Sequence, residues 1–287
     1  GGNTPDESYL NALSVLNVAE NEGTDSLHPG IGFLSENASF AELIRSHGIN
    51  FIGPPVSSME TMGNKSNAIN TAKRLKIPVV PGSEGALANS SEASNVAEYI
   101  GYPVLIKAAH GGGGKGIAVV EQSGQLEPMF FRMSKEALNA FGNGDLYLEK
   151  FIRSLRHLEV QVLRDLRGNS HLLGIRDCSV QRNYQKLIEE SAFDLPQKIE
   201  DQLFKYSRKL IDEIDYVGAG TVEFIYDLGE QKIYFMEMNT RLQVEHPVSE
   251  MVTGVDLVDK QFSVAKGNSL EALEVRPNGH AMELRIN

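Results

Sequence analysis

Two glutamates in one predicted β-ribbon, with a charged segment directly after it, are the residues best suited to chemistry. Thr221-Val222-Glu223-Phe224-Ile225-Tyr226 runs into a turn at Asp227-Leu228-Gly229-Glu230, and Lys232-Ile233-Tyr234-Phe235-Met236-Glu237-Met238-Asn239 runs back. If the five residues Leu228 to Lys232 form the loop, Glu223 lies opposite Glu237 on one face. Like charges paired among large apolar neighbours are unfavourable unless something neutralises them. A hard divalent cation does so, and Mg²⁺ takes one or two carboxylates together with substrate phosphates. Asn239, two residues further along that face, could add an oxygen. A one-residue slip would instead splay the carboxylates onto opposite faces.

The next nine residues, Asn239-Thr240-Arg241-Leu242-Gln243-Val244-Glu245-His246-Pro247, hold an anion clamp, an amide and a carboxylate. Arg241 can grip a carboxylate-like anion with its planar fork. Gln243 can orient that anion, and Glu245 could serve as a general base within hydrogen-bond reach. His246 precedes a proline and suits a structural role. As a bare pattern the segment also suits a solvated loop.

Upstream, His110-Gly111-Gly112-Gly113-Gly114-Lys115-Gly116 satisfies G-x-G-x-x-G through Gly111, Gly113 and Gly116. A dinucleotide site requires a helix after the turn, but Ile117-Ala118-Val119-Val120 is β-branched and strand-like. A P-loop fails too, because Gly116 stands where Ser or Thr is needed. A hairpin tip with exposed N–H groups remains, able to close over phosphates without a Cβ in the way; a disordered surface loop is the alternative. Lys107 ends the preceding strand and points toward the same region.

The elements that must position these groups fall into three stretches. Asp6 to Glu22 and a segment around Phe40, Leu43, Ile44 and His47 have helical spacing, the second ended by Gly48. Asn50 to Gly53 is a short strand, so the first stretch resembles part of a parallel α/β layer. Asn64 to Leu75 is a connecting helix. Helices at Ser91 to Ile100 and Gln125 to Phe141, with strands at Pro103 to Lys107, Gly116 to Val120 and Leu146 to Phe151, form a compact α+β unit. Beyond Arg156, strands at His157 to Arg164 and His171 to Asp177 and the ribbon itself predict an antiparallel sheet. Pro196 to Ile214 and Asp256 to Lys266 are helices, and Ala281 to Asn287 reads as a strand. The domain expectation is therefore 1–52 partial N-terminal α/β, 53–79 connector, 80–151 small α+β unit, and 152–287 incomplete antiparallel-sheet domain. Both ends read as cut.

The bulk properties exclude several classes. The 287 residues suit more than one domain. A net charge of −11 argues against nucleic acid, whose binding rests on phosphate neutralisation. No apolar run reaches the roughly 20 residues of a membrane span. Cys178 is the single cysteine, so no internal disulfide is expected, and a reducing compartment such as the cytoplasm or mitochondrial matrix fits.

Five motifs in order resemble biotin carboxylase: His28-Pro29-Gly30-Ile31-Gly32-Phe33-Leu34-Ser35-Glu36-Asn37, Met62-Gly63-Asn64-Lys65, the glycine run, Arg176-Asp177-Cys178-Ser179-Val180-Gln181-Arg182, and Glu237 through Pro247. The resemblance covers nearly the whole chain. It implies an ATP-grasp fold: a partial Rossmann-like N-terminal layer, a lid at 80–151 and a C-terminal antiparallel-sheet domain. By that resemblance Lys65, Lys107, Gly112, Gly113, Gly114, Glu149, Lys150, Ile152, His157 and Gln181 contact ATP, with Ile117 and Ile225 as apolar walls. Glu223 and Glu237, helped by Asn239, hold Mg²⁺ (or Mn²⁺). Arg241, Gln243 and the backbone of Val244 hold bicarbonate, and Glu245 deprotonates it. Lys186 neutralises carboxyphosphate and Arg285 the enolate of biotin.

The implied partners are a biotin carboxyl carrier, whose biotin is the substrate, and a carboxyltransferase, with a homo-oligomer possible. The chain departs from the family pattern at His110, at Tyr184 in place of a histidine, and at Ser191-Ala192-Phe193-Asp194. Two other readings stay open: an ATP-grasp ligase for another carboxylate, and a non-catalytic nucleotide-binding fragment.

Overall fold

A computed structural model describes residues 2–109, 116–183, 185–192 and 194–286. The glycine run with Gly112, Gly113 and Gly114, and the departures at His110, Tyr184 and Phe193, lie outside the described residues.

The chain opens with α1 (Ala12–Asn21), β1 (Ser26–Leu27), α2 (Ala38–Ser46) and β2 (Asn50–Phe51), and β1 and β2 pair in parallel. α1 is shorter than Asp6 to Glu22 because the Asn11 side chain accepts from Ser14 N–H (2.9 Å), fixing the N-cap there. Asn37 caps α2 the same way on Phe40 N–H (2.8 Å). Phe40, Ala41 and Ile44 of α2 meet Leu16, Phe51 and Met59 in a small separate core. Two helices follow, α3 (Val56–Gly63), which the sequence reading did not anticipate, and α4 (Lys65–Arg74).

The next unit comprises α5 (Ser90–Ile100), β3 (Val104–Ala108), β4 (Ile117–Val120), α6 (Leu126–Phe141) and β5 (Leu146–Lys150). Its sheet has the order β4-β3-β5, all antiparallel, and both helices bury an apolar stripe against it. β3 and β4 flank the glycine run as antiparallel partners, the geometry of a hairpin rather than of a strand-to-helix phosphate turn.

The rest of the molecule is built on β6 (Leu155–Arg164), β7 (Ser170–Arg182), β8 (Gln185–Ser191), α7 (Gln197–Glu213), β9 (Gly218–Asp227), β10 (Lys232–Asn239), α8 (His246–Thr253), α9 (Leu257–Ala265) and β11 (Met282–Leu284). The six strands lie in the order β10-β9-β6-β7-β8-β11. β7 runs five residues past the expected Asp177, and β8 and α8 were not anticipated. On β6, Leu158, Val160 and Val162 face a core shared with Ile199, Leu203, Leu210 and Ile211 of α7. Burying each such side chain contributes roughly 1.5–3 kcal/mol. Strand alternation then turns His157, Glu159 and Gln161 to the opposite face.

The ribbon corrects one expectation. Its loop is Leu228 to Gln231, since Asp227 pairs with Lys232, so the turn is one residue shorter than predicted. A β-bulge between Phe235 and Glu237 absorbs the difference, leaving Glu223 opposite Glu237.

Candidate active site

The polar face of the large sheet carries a buried charge network. Arg176, on β7, is 1% exposed. Its Nε and Nη2 donate to Glu159 Oε2 (3.3 and 3.1 Å), and its Nη1 donates to Gln161 Oε1 (2.7 Å) and Ser249 Oγ (2.9 Å). Nη2 also reaches Thr221 Oγ1 (3.2 Å) and Gln243 Oε1 (3.0 Å). A buried guanidinium is tolerable only when its donors are paired in this way.

Lys186, on β8, projects into the same network. It is ion-paired with Glu159, with Glu245 Oε1 at 2.6 Å and with Glu223 Oε1 at 3.3 Å. Burial would lower the Lys186 pKa, but the three carboxylates outweigh it and push it up. Burial would likewise raise Glu245, yet Lys186 and Arg176 hold it below the ordinary carboxylate range. Arg285, beyond β11, closes the other side, with Nη2 2.9 Å from Glu245 Oε2 and Nε 2.6 Å from Glu189 Oε1.

Glu223 is the most heavily engaged carboxylate. His157 Nε2 lies 2.7 Å from Oε2, while Asn239 Nδ2 (2.6 Å) and Gln243 Nε2 (2.9 Å) donate to Oε1. Its pKa falls well below the usual value: burial opposes, but the His157 hydrogen bond and the Lys186 charge prevail. His157 is raised despite its burial, chiefly by Glu223. Gln181 Nε2 sits 2.8 Å from the other His157 ring nitrogen.

Glu237 opens onto solvent, and crowding around it, with the like charge of Glu223, raises its pKa. An anionic pair on one ribbon face, one member made reluctant to ionise by burial and by its neighbour, suits a hard cation with oxygen ligands. The residues therefore fit Mg²⁺, with Glu237 the readier ligand. The Asn239 amide donates its nitrogen to Glu223 and turns its oxygen toward Arg241 Nη2 (3.4 Å), so it must rotate before that oxygen can join a cation.

A cleft of about 840 Å³ unites most of the expected site residues: His157, Gln181, Lys186, Glu223, Glu237, Asn239, Arg241, Gln243, Val244, Glu245 and Arg285. Gln243, expected to orient an anion, lines this cleft with its amide held between Arg176 and Glu223. His246 opens α8, its Nδ1 donating to the Gln243 carbonyl (2.6 Å), a contact that suits the structural role expected of it.

A second group stands apart from the cleft walls. Lys107 and Glu149 are ion-paired across β3 and β5, and Lys65 Nζ is 3.6 Å from the same carboxylate. Burial would raise Glu149, but the two lysines hold it below its ordinary value. The Lys65 charge also acts on Glu237, so this lysine links the two groups. Lys150 donates to the Gly101 carbonyl (3.0 Å), Ile152 is buried after β5, Ile117 pairs with Lys107, and Ile225 pairs with His157.

Sequence reasoning gave no role to Glu159, Arg176 or Glu36. Strict alternation in His157-Leu158-Glu159-Val160-Gln161-Val162 was the available signal for Glu159: a charge at that period, flanked by aliphatic residues, must face a partner.

Residues 64–273 match the family described as carbamoyl-phosphate synthase L chain, ATP binding domain. The chain belongs to that family. Ahead of it, residues 1–59 match the biotin carboxylase N-terminal domain, and the two together bear out the resemblance to biotin carboxylases. The chain is 50% identical over 284 residues to biotin carboxylase 1 of Bacillus subtilis, covering 98% of this chain and 63% of that protein. The biotin carboxylase of Campylobacter jejuni, solved as a β,γ-ATP complex, superposes with a TM-score of 0.89 at 48% identity, over 97% of this chain and 63% of that one. The biotin carboxylase domain of Hydrogenobacter thermophilus 2-oxoglutarate carboxylase, solved as a dimer with MgADP, ADP and bicarbonate, gives a TM-score of 0.89 at 45% identity, over 99% and 63%. The chain thus spans somewhat under two thirds of the length of these relatives. The ATP-grasp fold expected from the motifs is borne out by the mixed architecture and its large antiparallel sheet. Among the described residues no helix is long and apolar enough to cross a membrane.

Proposed function

We propose that the chain carries out the ATP- and Mg-dependent carboxylation of biotin with bicarbonate, as part of a biotin-dependent acyl-CoA or related carboxylase. The supporting observation is Glu245, a buried carboxylate held by Lys186 and Arg285 at the floor of a cleft that also presents Arg241. The named relatives point the same way, as biotin carboxylases or as a carboxylase solved with MgADP and bicarbonate.

In this proposal the anion enters between Arg241 and Arg285, beside the Val244 backbone. Its charge draws Lys186 and Arg285 away from Glu245. With those cations withdrawn, the proton affinity of Glu245 rises, which suits it to take the bicarbonate proton. The freed oxygen attacks the γ-phosphorus of ATP, and the bond to ADP breaks, giving carboxyphosphate. Lys186 balances the charge of that species. It splits to CO₂ and phosphate, phosphate takes the ureido proton of biotin, and the ureido nitrogen adds to CO₂ while Arg285 steadies the enolate. Glu223, Glu237 and Asn239 would hold the divalent cation, which neutralises phosphate oxygens when bound. Positioned charges of this kind typically supply ~10²–10³ in rate each.

Residues 80–151, as the lid, close on ATP through Lys107, Glu149, Lys150 and the glycine run, with Lys65, Ile117, Ile152, His157, Gln181 and Ile225 lining the nucleotide. A biotin carboxyl carrier delivers biotin, and a carboxyltransferase takes the carboxyl group onward. The test is phosphate release by this chain with MgATP. Release that requires bicarbonate, rises with free biotin and drops ~10²-fold in Arg241→Ala is expected. Release at the same rate without bicarbonate would exclude the proposal.

A further inference from the structure

Within the motif His28 to Asn37, the Glu36 carboxylate has no part in the chemistry above, yet it reaches the anion clamp across 205 positions of sequence. Its Oε1 accepts from the backbone N–H of Thr240 (2.8 Å) and from the Thr240 hydroxyl (3.2 Å). Its Oε2 accepts from Arg241 Nε (2.9 Å). Both ends of the clasp are anchored. Leu34 and Ser35 are buried directly before Glu36, and Asn37 caps α2 directly after it. Thr240 is itself buried, where the chain leaves β10.

A guanidinium offers an anion two paired edges: side-on through Nε and Nη2, or end-on through Nη1 and Nη2. Glu36 fills the Nε position, so the side-on edge is closed. Among the described residues, the terminal nitrogens carry only a 3.2 Å contact to the Leu242 carbonyl and a 3.4 Å contact to Asn239 Oδ1. Contacts of that length are weak and easily exchanged for a charged ligand.

We infer that Glu36 is a positioning residue, which holds Arg241 by its Nε edge so that the carbonate-like anion is gripped end-on by Nη1 and Nη2. The inference rests on the reading of the cleft as a bicarbonate site. It gives the N-terminal α/β layer, whose Ile31 and Gly32 already line the cleft, a side chain that acts on the chemistry.

The test compares the parent chain with Glu36→Gln and Glu36→Asp. Glutamine keeps the shape but lacks the charge, while aspartate keeps the charge on a shorter arm. In Glu36→Gln the bicarbonate KM should rise roughly tenfold, the scale of one lost hydrogen bond between charged groups. kcat and the KM for ATP should stay within about twofold, and Glu36→Asp should recover part of the bicarbonate KM. Combined with Arg241→Ala, the change at Glu36 should add nothing further. A bicarbonate KM unchanged in Glu36→Gln, a parallel fall of kcat and both KM values, or additive losses in the double variant would each overturn the inference.

Nitrogen NMR of the Arg241 side chain gives a readout independent of turnover. The Nε proton should exchange slowly in the parent and rapidly in Glu36→Gln, and added bicarbonate should shift the Nη resonances of the parent at roughly tenfold lower concentration. If the parent shows no bicarbonate-dependent ATP cleavage, the proposed function fails by itself. The NMR titration then decides the clasp, which falls if Nε exchange or the bicarbonate midpoint is the same in both proteins.

Discussion

Arg176 holds the polar face of the large sheet together, bonding Glu159, Gln161, Thr221, Gln243 and Ser249 with one side chain. Arg176→Met keeps much of the volume but leaves the fully buried Glu159 carboxylate short of a partner. Breaking a buried pair from one side costs about 3–5 kcal/mol, so urea unfolding should show a loss of that size. A loss under about 1 kcal/mol would mean that water already solvates this network. Asp165 makes the opposite case, a carboxylate stabilised without a cation. Burial would raise its pKa, but N–H groups of Leu270, Asn169 and Arg167 and the Asn169 amide hold it down to about 2, against an ordinary 3.8. A depressed folded value contributes stability above the unfolded pKa and loses it as pH falls from 3.8 toward about 2. Asp165→Asn should therefore destabilise the protein at pH 7 by about 2 kcal/mol and flatten its acid unfolding over that window. An unchanged acid limb would contradict it. At this scale the sequence exposed charged residues set in apolar strands, such as Glu223 and Glu237. It concealed Glu36 and Arg176, because their partners lie on other elements far along the chain.

β10 shows why element type was easier to read than register. Ile233, Phe235, Glu237 and Asn239 share one parity, so a regular strand that put the polar pair in the cleft would put Ile233 and Phe235 there too. The structure keeps Ile233, Phe235 and Met238 in the core and turns Met236 and Glu237 to the cleft. That switch of parity is the bulge, and it was available in the sequence as a conflict between the two halves of the strand. Deleting Met236 should convert the bulge to a regular ladder with Glu237 still opposite Glu223. The shortened protein should fold with a cost below about 3 kcal/mol and keep its Mg²⁺-dependent thermal stabilisation. Loss of the Mg²⁺ effect in a folded deletion protein would show that the bulge itself shapes the cation site. Elements with strong local signals, such as α2, α5 and α7, stand within one or two residues of their predicted bounds. β8 and α8 were not legible, because their residues alternate poorly and are fixed by contacts to β7.

The cleft is assembled from segments that the chain keeps far apart: the loop at Ile31 and Gly32, strands β6 to β10, the segment before α8, and Arg285 beside β11. Order and spacing of the motifs carried that assembly in the sequence, whereas the pairwise contacts within it did not follow from spacing. The separation of Lys65, Lys107 and Glu149 from the cleft walls is also a property of the whole molecule. The most direct measurement follows the oxygen atoms. With ¹⁸O-labelled bicarbonate and unlabelled water, ATP turnover through carboxyphosphate should place one heavy oxygen in each phosphate released, because the attacking oxygen stays on phosphorus. Phosphate free of label would mean that water attacks ATP, and the assignment of Glu245, Arg241 and Lys186 to bicarbonate would be wrong.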